Sequence, residues 1–251
     1  MKLLLADIET APNRVYSWGL FNQNIAIDQI EEPGYTLCWS AKWYGDKKIH
    51  YSSLHDTSKK EMLSEIYYLM DEADAIVHYN GTRFDIPTLN QEFLFMGWAP
   101  PAPSANVDLY HTAKRRFRLP SNKLNYVARV LGLGEKTKHK GMELWKECMA
   151  GDDKAWNVMK EYNKNDVILL EKVYEKLLPW VPNHINHGVL NDGEEMMCPN
   201  CGSKHVQKRG HYYTNTLAYQ RYQCQDCGAW SRSRLNDVPK EKRANILKGI
   251  V

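Results

Sequence analysis

Leu3-Leu4-Leu5-Ala6-Asp7-Ile8-Glu9-Thr10 is the stretch on which the reading of this chain turns. A short apolar run that ends in acids reads as a buried strand delivering polar groups at its carboxyl end. Side chains repeat every second residue along a strand, so Asp7 and Glu9 point to the same face. Two like charges held side by side cost free energy unless a cation offsets them. The pair alone is a weak signal, because 30 acids in 251 residues give roughly three or four acid-x-acid pairs by chance. Its position at the end of a buried run is what raises its weight.

Outward from that strand, the chain alternates between strand and helix patterns. Thr36 to Tyr44 and Lys47 to Ser53 flank Gly45-Asp46 as a hairpin. Ser58 and Glu61 form a capping box for a helix whose apolar residues Met62, Ile66, Leu69, Met70 and Ala73 recur at helical spacing. Ala75 to Tyr79 reads as a second buried strand, followed by a helix from about Ile86 to Met96 that Gly97 closes. Further on, a short strand is expected around Val107, then a helix carrying Lys114, Arg115, Arg116 and Arg118, and another from Ser121 to Leu131. Residues 152 to 178 are helical in pattern up to Pro179. The alternation argues an α/β fold. The boundaries read as a first domain over 1–182, a polar linker over 183–197 and a small module with a basic tail over 198–251.

Three more side chains belong with the first pair. Asp85 ends His78-Tyr79-Asn80-Gly81-Thr82-Arg83-Phe84-Asp85, and Tyr162 and Asp166 stand four apart in Tyr162-Asn163-Lys164-Asn165-Asp166, on one helix face. Singly, each has an ordinary explanation: a helix cap for Asp85, an amphipathic helix for the others. In this order, with Asp7-Ile8-Glu9-Thr10, they resemble the three exonuclease motifs of the DnaQ-like, or DEDD, superfamily. The tyrosine resembles the DEDDy branch, which includes the proofreading domains of family B DNA polymerases. A segment from Leu119 to Gly134 is similar to one in stand-alone bacterial and phage relatives. The resemblance implies an RNase H-like mixed five-stranded sheet flanked by helices, with the first strand central. It also implies a 3′-to-5′ exonuclease, free-standing rather than a polymerase fragment. Two Mg²⁺ or Mn²⁺ ions would be held by Asp7, Glu9 and Asp166, with Asp7 bridging them and Asp85 acting indirectly. Tyr162 would orient the attacking water. Two ions of this kind supply an activated water and charge at the leaving oxygen, and hard cations prefer carboxylate oxygen.

Thr10, Asn80, Lys123 and Arg221 are the expected nucleic-acid contacts, although Asn80 also suits a turn. Asp108 is read as a helix cap. Trp18, Leu20 and Phe21 are expected either to pack inside or to wedge against a terminal base.

Cys38 and Cys148 stand alone, whereas Cys198-Pro199-Asn200-Cys201-Gly202 and Cys224-Gln225-Asp226-Cys227-Gly228 form two matched knuckles. Four thiolates at this spacing read as one structural Zn²⁺ in a C-terminal zinc ribbon, with a hairpin between the knuckles around Thr214-Asn215. The segment is similar to ribbons attached to transposases. Residues 194 to 251 hold 10 Lys and Arg against 5 Asp and Glu, while the chain as a whole carries only +3. That excess suits nucleic acid, with protein docking as the competing use. The apolar start meets Asp7 too early for a signal peptide, and no stretch reaches membrane-spanning length, so a cytoplasmic protein without a membrane role is expected. The function expected is metal-dependent removal of nucleotides from the 3′ end of DNA, on single-stranded or frayed ends. The alternatives are an exoribonuclease, an RNase H-like endonuclease or resolvase, and a non-catalytic nucleic-acid-binding adaptor.

Overall fold

Leu3–Thr10 (β1) is the middle strand of a mixed five-stranded sheet in the computed structural model, which describes residues 1–182, 184–190, 193 and 195–250. Asn183, Asn191, Asp192 and Glu194, all but the first inside the polar stretch of the expected linker and the first at its start, lie outside the described residues, as does Val251 at the tail. The chain divides into two compact units, 2–175 and 176–251, the latter with Met1.

In the larger unit, Arg14–Val15 (β2) and Ile30–Glu32 (β3) make a small separate ribbon after β1. Thr36–Trp43 (β4) and His50–Ser53 (β5) follow as the expected hairpin, then Lys59–Glu72 (α1), Ala75–His78 (β6) and Asp85–Phe95 (α2). Ala105–Asp108 (β7), Leu109–Arg116 (α3), Leu124–Val130 (α4), Met142–Met149 (α5) and Asp153–Leu177 (α6) complete it. The strand order is β5-β4-β1-β6-β7. β4 pairs antiparallel with β1 and with β5, while β6 runs parallel to β1 and β7 parallel to β6. This is the RNase H-like sheet, with the first strand central. The helix expected from Ser121 is shorter, because Ser121 to Lys123 stay extended and the Asn122 carbonyl accepts the Tyr79 hydroxyl at 2.6 Å. Likewise α3 stops at Arg116, so Arg118 lies beyond it.

The period of two along β1 sorts its side chains between two layers. Leu4, Ala6 and Ile8 pack with Trp39, Met62, Ile66, Leu89 and Phe93 under α1 and α2. On the other side, α5 and α6 bring Leu144, Cys148, Trp156, Met159 and Tyr162 against Leu37 and Cys38 of β4. Each fully buried large aliphatic or aromatic side chain contributes about 1.5–3 kcal/mol, so the sheet is held from both faces. Helix α1 starts where the sequence places it: the Ser58 hydroxyl accepts the Glu61 amide at 3.3 Å, and the Glu61 carboxylate accepts the Ser58 amide at 3.2 Å. Trp39 donates its indole N–H to the Met62 carbonyl at 2.8 Å, satisfying the one polar atom of a buried ring.

Trp18, Leu20 and Phe21 are not interior residues. They are 99%, 93% and 82% exposed, because the chain between β2 and β3 leaves the sheet and no layer covers it.

In the smaller unit, Val206–Tyr213 (β8), Ala218–Cys224 (β9) and Trp230–Arg232 (β10) form an antiparallel sheet in the order β10-β9-β8, and Lys240–Arg243 (α7) is a short turn of helix. The expected hairpin joins β8 to β9 at Thr214, whose amide donates to the Leu217 carbonyl at 2.9 Å. His187 donates its amide to Pro199 and Asn200 its side chain to Leu178, so part of the expected linker is tied into this unit. Among the described residues no helix is long and apolar enough to cross a membrane.

Candidate active site

Asp7 and Glu9 lie on the face of β1 opposite Ile8, and α6 crosses that face with Tyr162, Asn163 and Asp166. One oxygen from each of Asp7, Glu9 and Asp166 falls within 4.8 Å of the others. Asp85 enters from the start of α2 and does not cap that helix through its side chain. Its Oδ1 instead accepts the backbone N–H of Ile8 at 3.2 Å, so it braces the strand between the two acids. The structure therefore gathers all four acids, three as a cluster and one behind them.

Burial and mutual repulsion raise the affinity of this cluster for protons. Asp7 is held well above the usual carboxylate range, first by burial and then by Asp166, Asp85 and Glu9. Glu9 is pushed up to about 8, mainly by burial, against an opposing pull from Lys136. Burial likewise takes Asp85 to about 6, with the hydrogen bond from Ile8 pulling the other way. Asp166 is also raised by burial, despite the ammonium beside it.

That ammonium belongs to Lys136, which no sequence pattern marks as part of the site. Its Nζ donates to Asp166 Oδ2 at 2.5 Å and to the Tyr162 hydroxyl at 3.1 Å. Burial opposes its charge, yet the Asp166 and Asp7 carboxylates outweigh that and hold it above the ordinary lysine value. Asn163, fully buried, was missed as well; its amide donates to Asp7 Oδ2 at 2.8 Å. Its place three residues before Asp166 on α6 is a signal that could have found it. His139 and Trp145 pack their rings against Tyr162 at centroid distances of 4.8 and 6.1 Å. The phenol is thus caged, and burial and then Asp166 raise it above the ordinary tyrosine value.

The donor set fits a divalent cation. Asp166 Oδ1 and Asn163 Oδ1 are buried without a hydrogen-bond partner, an arrangement that costs free energy unless something else coordinates them. All-oxygen donors suit Mg²⁺ or Mn²⁺.

The other expected contacts are spread along the two units. Thr10 ends β1 at a register shift opposite Thr36. Asn80 sits in a turn with φ of 69°, its backbone N–H donating to Asp108 Oδ1 at 3.0 Å, so the turn-forming reading of this residue holds. Asp108 does cap α3, accepting the amides of Tyr110 and His111, and it also accepts the Thr82 amide at 3.3 Å. Lys123 is exposed just ahead of α4. Arg221 lies on β9 of the smaller unit.

The four cysteines of that unit meet as the spacing requires. A tetrahedral zinc with bonds of about 2.3 Å to sulfur sets the sulfurs about 3.8 Å apart. Cys198 to Cys227 and Cys201 to Cys224 are each 3.6 Å apart, all four sulfurs lie within 4.8 Å, and none is in a disulfide. Gly202 and Gly228, after the second cysteine of each knuckle, have φ of 74° and 80°, where a side chain would be strained.

A family model described as the RNase H superfamily matches residues 31–178. That span contains Asp85, Tyr162 and Asp166 and begins beyond Asp7 and Glu9. Among solved structures, the family B DNA polymerase from the hyperthermophilic archaeon Pyrobaculum calidifontis shares the fold, with a TM-score of 0.55 at 20% sequence identity. The likeness covers 71% of this chain and 24% of the polymerase, so the chain spans about a quarter of that protein. No curated protein matches the chain. With the sheet order and the family match over more than half its length, the chain belongs to the RNase H superfamily.

Proposed function

We propose that this chain is a metal-dependent 3′-to-5′ exonuclease that hydrolyses the terminal phosphodiester bond of DNA, acting on single-stranded or frayed ends. The observation that carries the reading is the convergence of Asp7, Glu9 and Asp166 within 4.8 Å, with the Tyr162 hydroxyl joined to Asp166 through Lys136. Membership of the RNase H superfamily supports nuclease chemistry in general. Asp7, Glu9 and Asp166 would hold two Mg²⁺ or Mn²⁺ ions, which when bound supply charge stabilisation at the leaving oxygen and acidity at a water.

The protein's own groups then divide the remaining work. Asn163 fixes the rotamer of Asp7 through a 2.8 Å hydrogen bond, and Asp85 fixes the strand that carries both acids. Tyr162 serves as a hydrogen-bonding group that orients the water, because a phenol raised in this way stays protonated and does not act as a base. Thr10, Asn80 and Lys123 are assigned to the 3′-terminal nucleotides and their phosphates, and the zinc ribbon to binding the strand.

The test uses purified protein with Mg²⁺ or Mn²⁺ and 5′-labelled single- and double-stranded DNA and RNA, with and without a chain-terminated 3′ end. A ladder of shortening DNA products, with Tyr162→Phe slower by about tenfold to a hundredfold and Asp7→Asn inactive, is the expected result. A preference for RNA would make the chain an exoribonuclease, and a discrete internal product an endonuclease. Binding without cleavage would make it an adaptor and overturn the proposal.

A further inference from the structure

The ribbon sheet sorts its aromatic and basic residues by face. Tyr212 pairs with Tyr219, Arg221 with Arg232, and Gln223 with Trp230, and directly opposed residues of an antiparallel pair share a face. Tyr219, Arg221 and Gln223 alternate along β9, so these six side chains stand on one side of the sheet. There they are layered. The Arg232 guanidinium lies 3.9 Å from the centroid of Tyr219 and 5.7 Å from that of Tyr212, and Arg221 lies 4.8 Å from that of Trp230. An Arg221 Nε–H bond to the Arg209 carbonyl at 2.9 Å sets the plane of that guanidinium.

This face remains open, with Trp230 52% and Tyr212 48% exposed. On the opposite side, Val206, Tyr222 and Ser231 line a cavity of about 450 Å³ with Asn186, Met196 and Met197 of the same unit, and Arg232 reaches its rim. Charge is sorted too. Among the described residues Asp237 pairs with His211, Asp226 with His205 and Glu195 with Lys204, and neither Arg221 nor Arg232 pairs with a carboxylate.

We propose that this face is a stacking platform for the unpaired bases of a single-stranded nucleic acid, which rests on the nuclease reading above and names how the ribbon holds the strand. Trp230 and Tyr212 offer ring faces to successive bases, and the guanidiniums beside them continue the stack while meeting the phosphates. Every base has a π-face, so such binding tolerates any sequence, whereas a duplex keeps its base faces inside its own stack. Planar cations without carboxylate partners complement the strand's charge.

The test measures fluorescence anisotropy of labelled oligothymidylate, oligouridylate and a duplex of equal length, using the full zinc-loaded chain with Asp7→Asn so that the probes survive. Trp230→Leu and Tyr212→Leu should each weaken single-strand binding by about tenfold to a hundredfold and leave duplex binding unchanged. Arg232→Lys, which keeps the charge and removes the planar layer, should weaken it with the same salt dependence. Comparison of the oligothymidylate and oligouridylate arms identifies which backbone the platform accepts. Zinc content and circular dichroism report whether each variant is folded, and Arg232→Lys decides the matter if a ring variant is not. Unchanged affinity in folded variants, or equal losses on duplex, would overturn the proposal. Hydrolysis of a dinucleotide by the wild-type chain requires only the carboxylate site, so its absence would refute the nuclease reading separately.

Discussion

Replacing Asp7 by Asn should stabilise the cation-free protein at alkaline pH while removing its response to metal. The substitution keeps the shape and the acceptor for Asn163 but removes one of three charges whose oxygens lie within 4.8 Å. At an effective dielectric constant of about 20, two such charges repel by about 3 kcal/mol. Lys136 and solvent offset part of that, leaving a gain of about 1–3 kcal/mol and a rise in Tm of about 2–12 °C for a unit of this size. The pH dependence has a definite sign. Asp7 and Glu9 bind protons more tightly in the folded chain than in the unfolded one, Glu9 with a folded value of about 8. Their stabilising contribution is therefore full below the unfolded carboxylate range and is lost as pH rises through the folded values. Wild-type Tm without added divalent ions should fall between about pH 5 and 8.5, and Asp7→Asn should flatten that fall. Added Mn²⁺ should raise the wild-type Tm at pH 8.5 and leave the variant nearly unmoved. Thermal melts followed by circular dichroism on zinc-loaded protein provide the measurement. A variant less stable than wild type at pH 8.5, or an equal difference at both pH values, would refute the electrostatic reasoning.

Lys136→Met should tighten Mn²⁺ binding by about tenfold, or 1.4 kcal/mol, because an ammonium 2.5 Å from Asp166 Oδ2 competes for the same oxygen; titration calorimetry showing weaker binding would contradict this. Cys224→Ser should unfold the ribbon, whose buried cluster besides Cys224 consists of Cys198 and Ala229, since structural zinc contributes about 10–16 kcal/mol. Limited proteolysis should then remove residues after about 180 and leave the larger unit intact. Gly81→Ala should destabilise the larger unit by about 1–3 kcal/mol, seen as a lower Tm, because the new Cβ would stand 2.5 Å from Cγ of the buried His78.

Legibility in the sequence followed the range of the interactions. β1 could be read because burial imposes a local pattern, Leu3 to Ala6 on one side of the acids, and α1 because Ser58 and Glu61 interact three residues apart. The knuckles were legible for the same reason, since each sets its two cysteines three residues apart with glycine at the turn, the local pattern that a metal site would require. Lys136 could not be read: it lies in coil after Gly134, and its partners at 162 and 166 come to it only through tertiary packing. For Trp18, Leu20 and Phe21 the sequence left both packing inside and an exposed wedge open, and the fold removes the first. Apolar character argues for burial only when some element is available to cover it, and the stretch between β2 and β3 has none.

One contact behind the acids has a temporal consequence. β6 accompanies β1 only as far as Leu5, opposite Val77, so on that edge no strand reaches Ile8, and its amide donates to the Asp85 side chain instead. Ladder amides exchange with deuterium only when several hydrogen bonds open together, but this one is gated by a single rotamer. Ile8 is therefore a clock for Asp85: each time that carboxylate swings away, one identifiable proton in the centre of the sheet becomes free to leave.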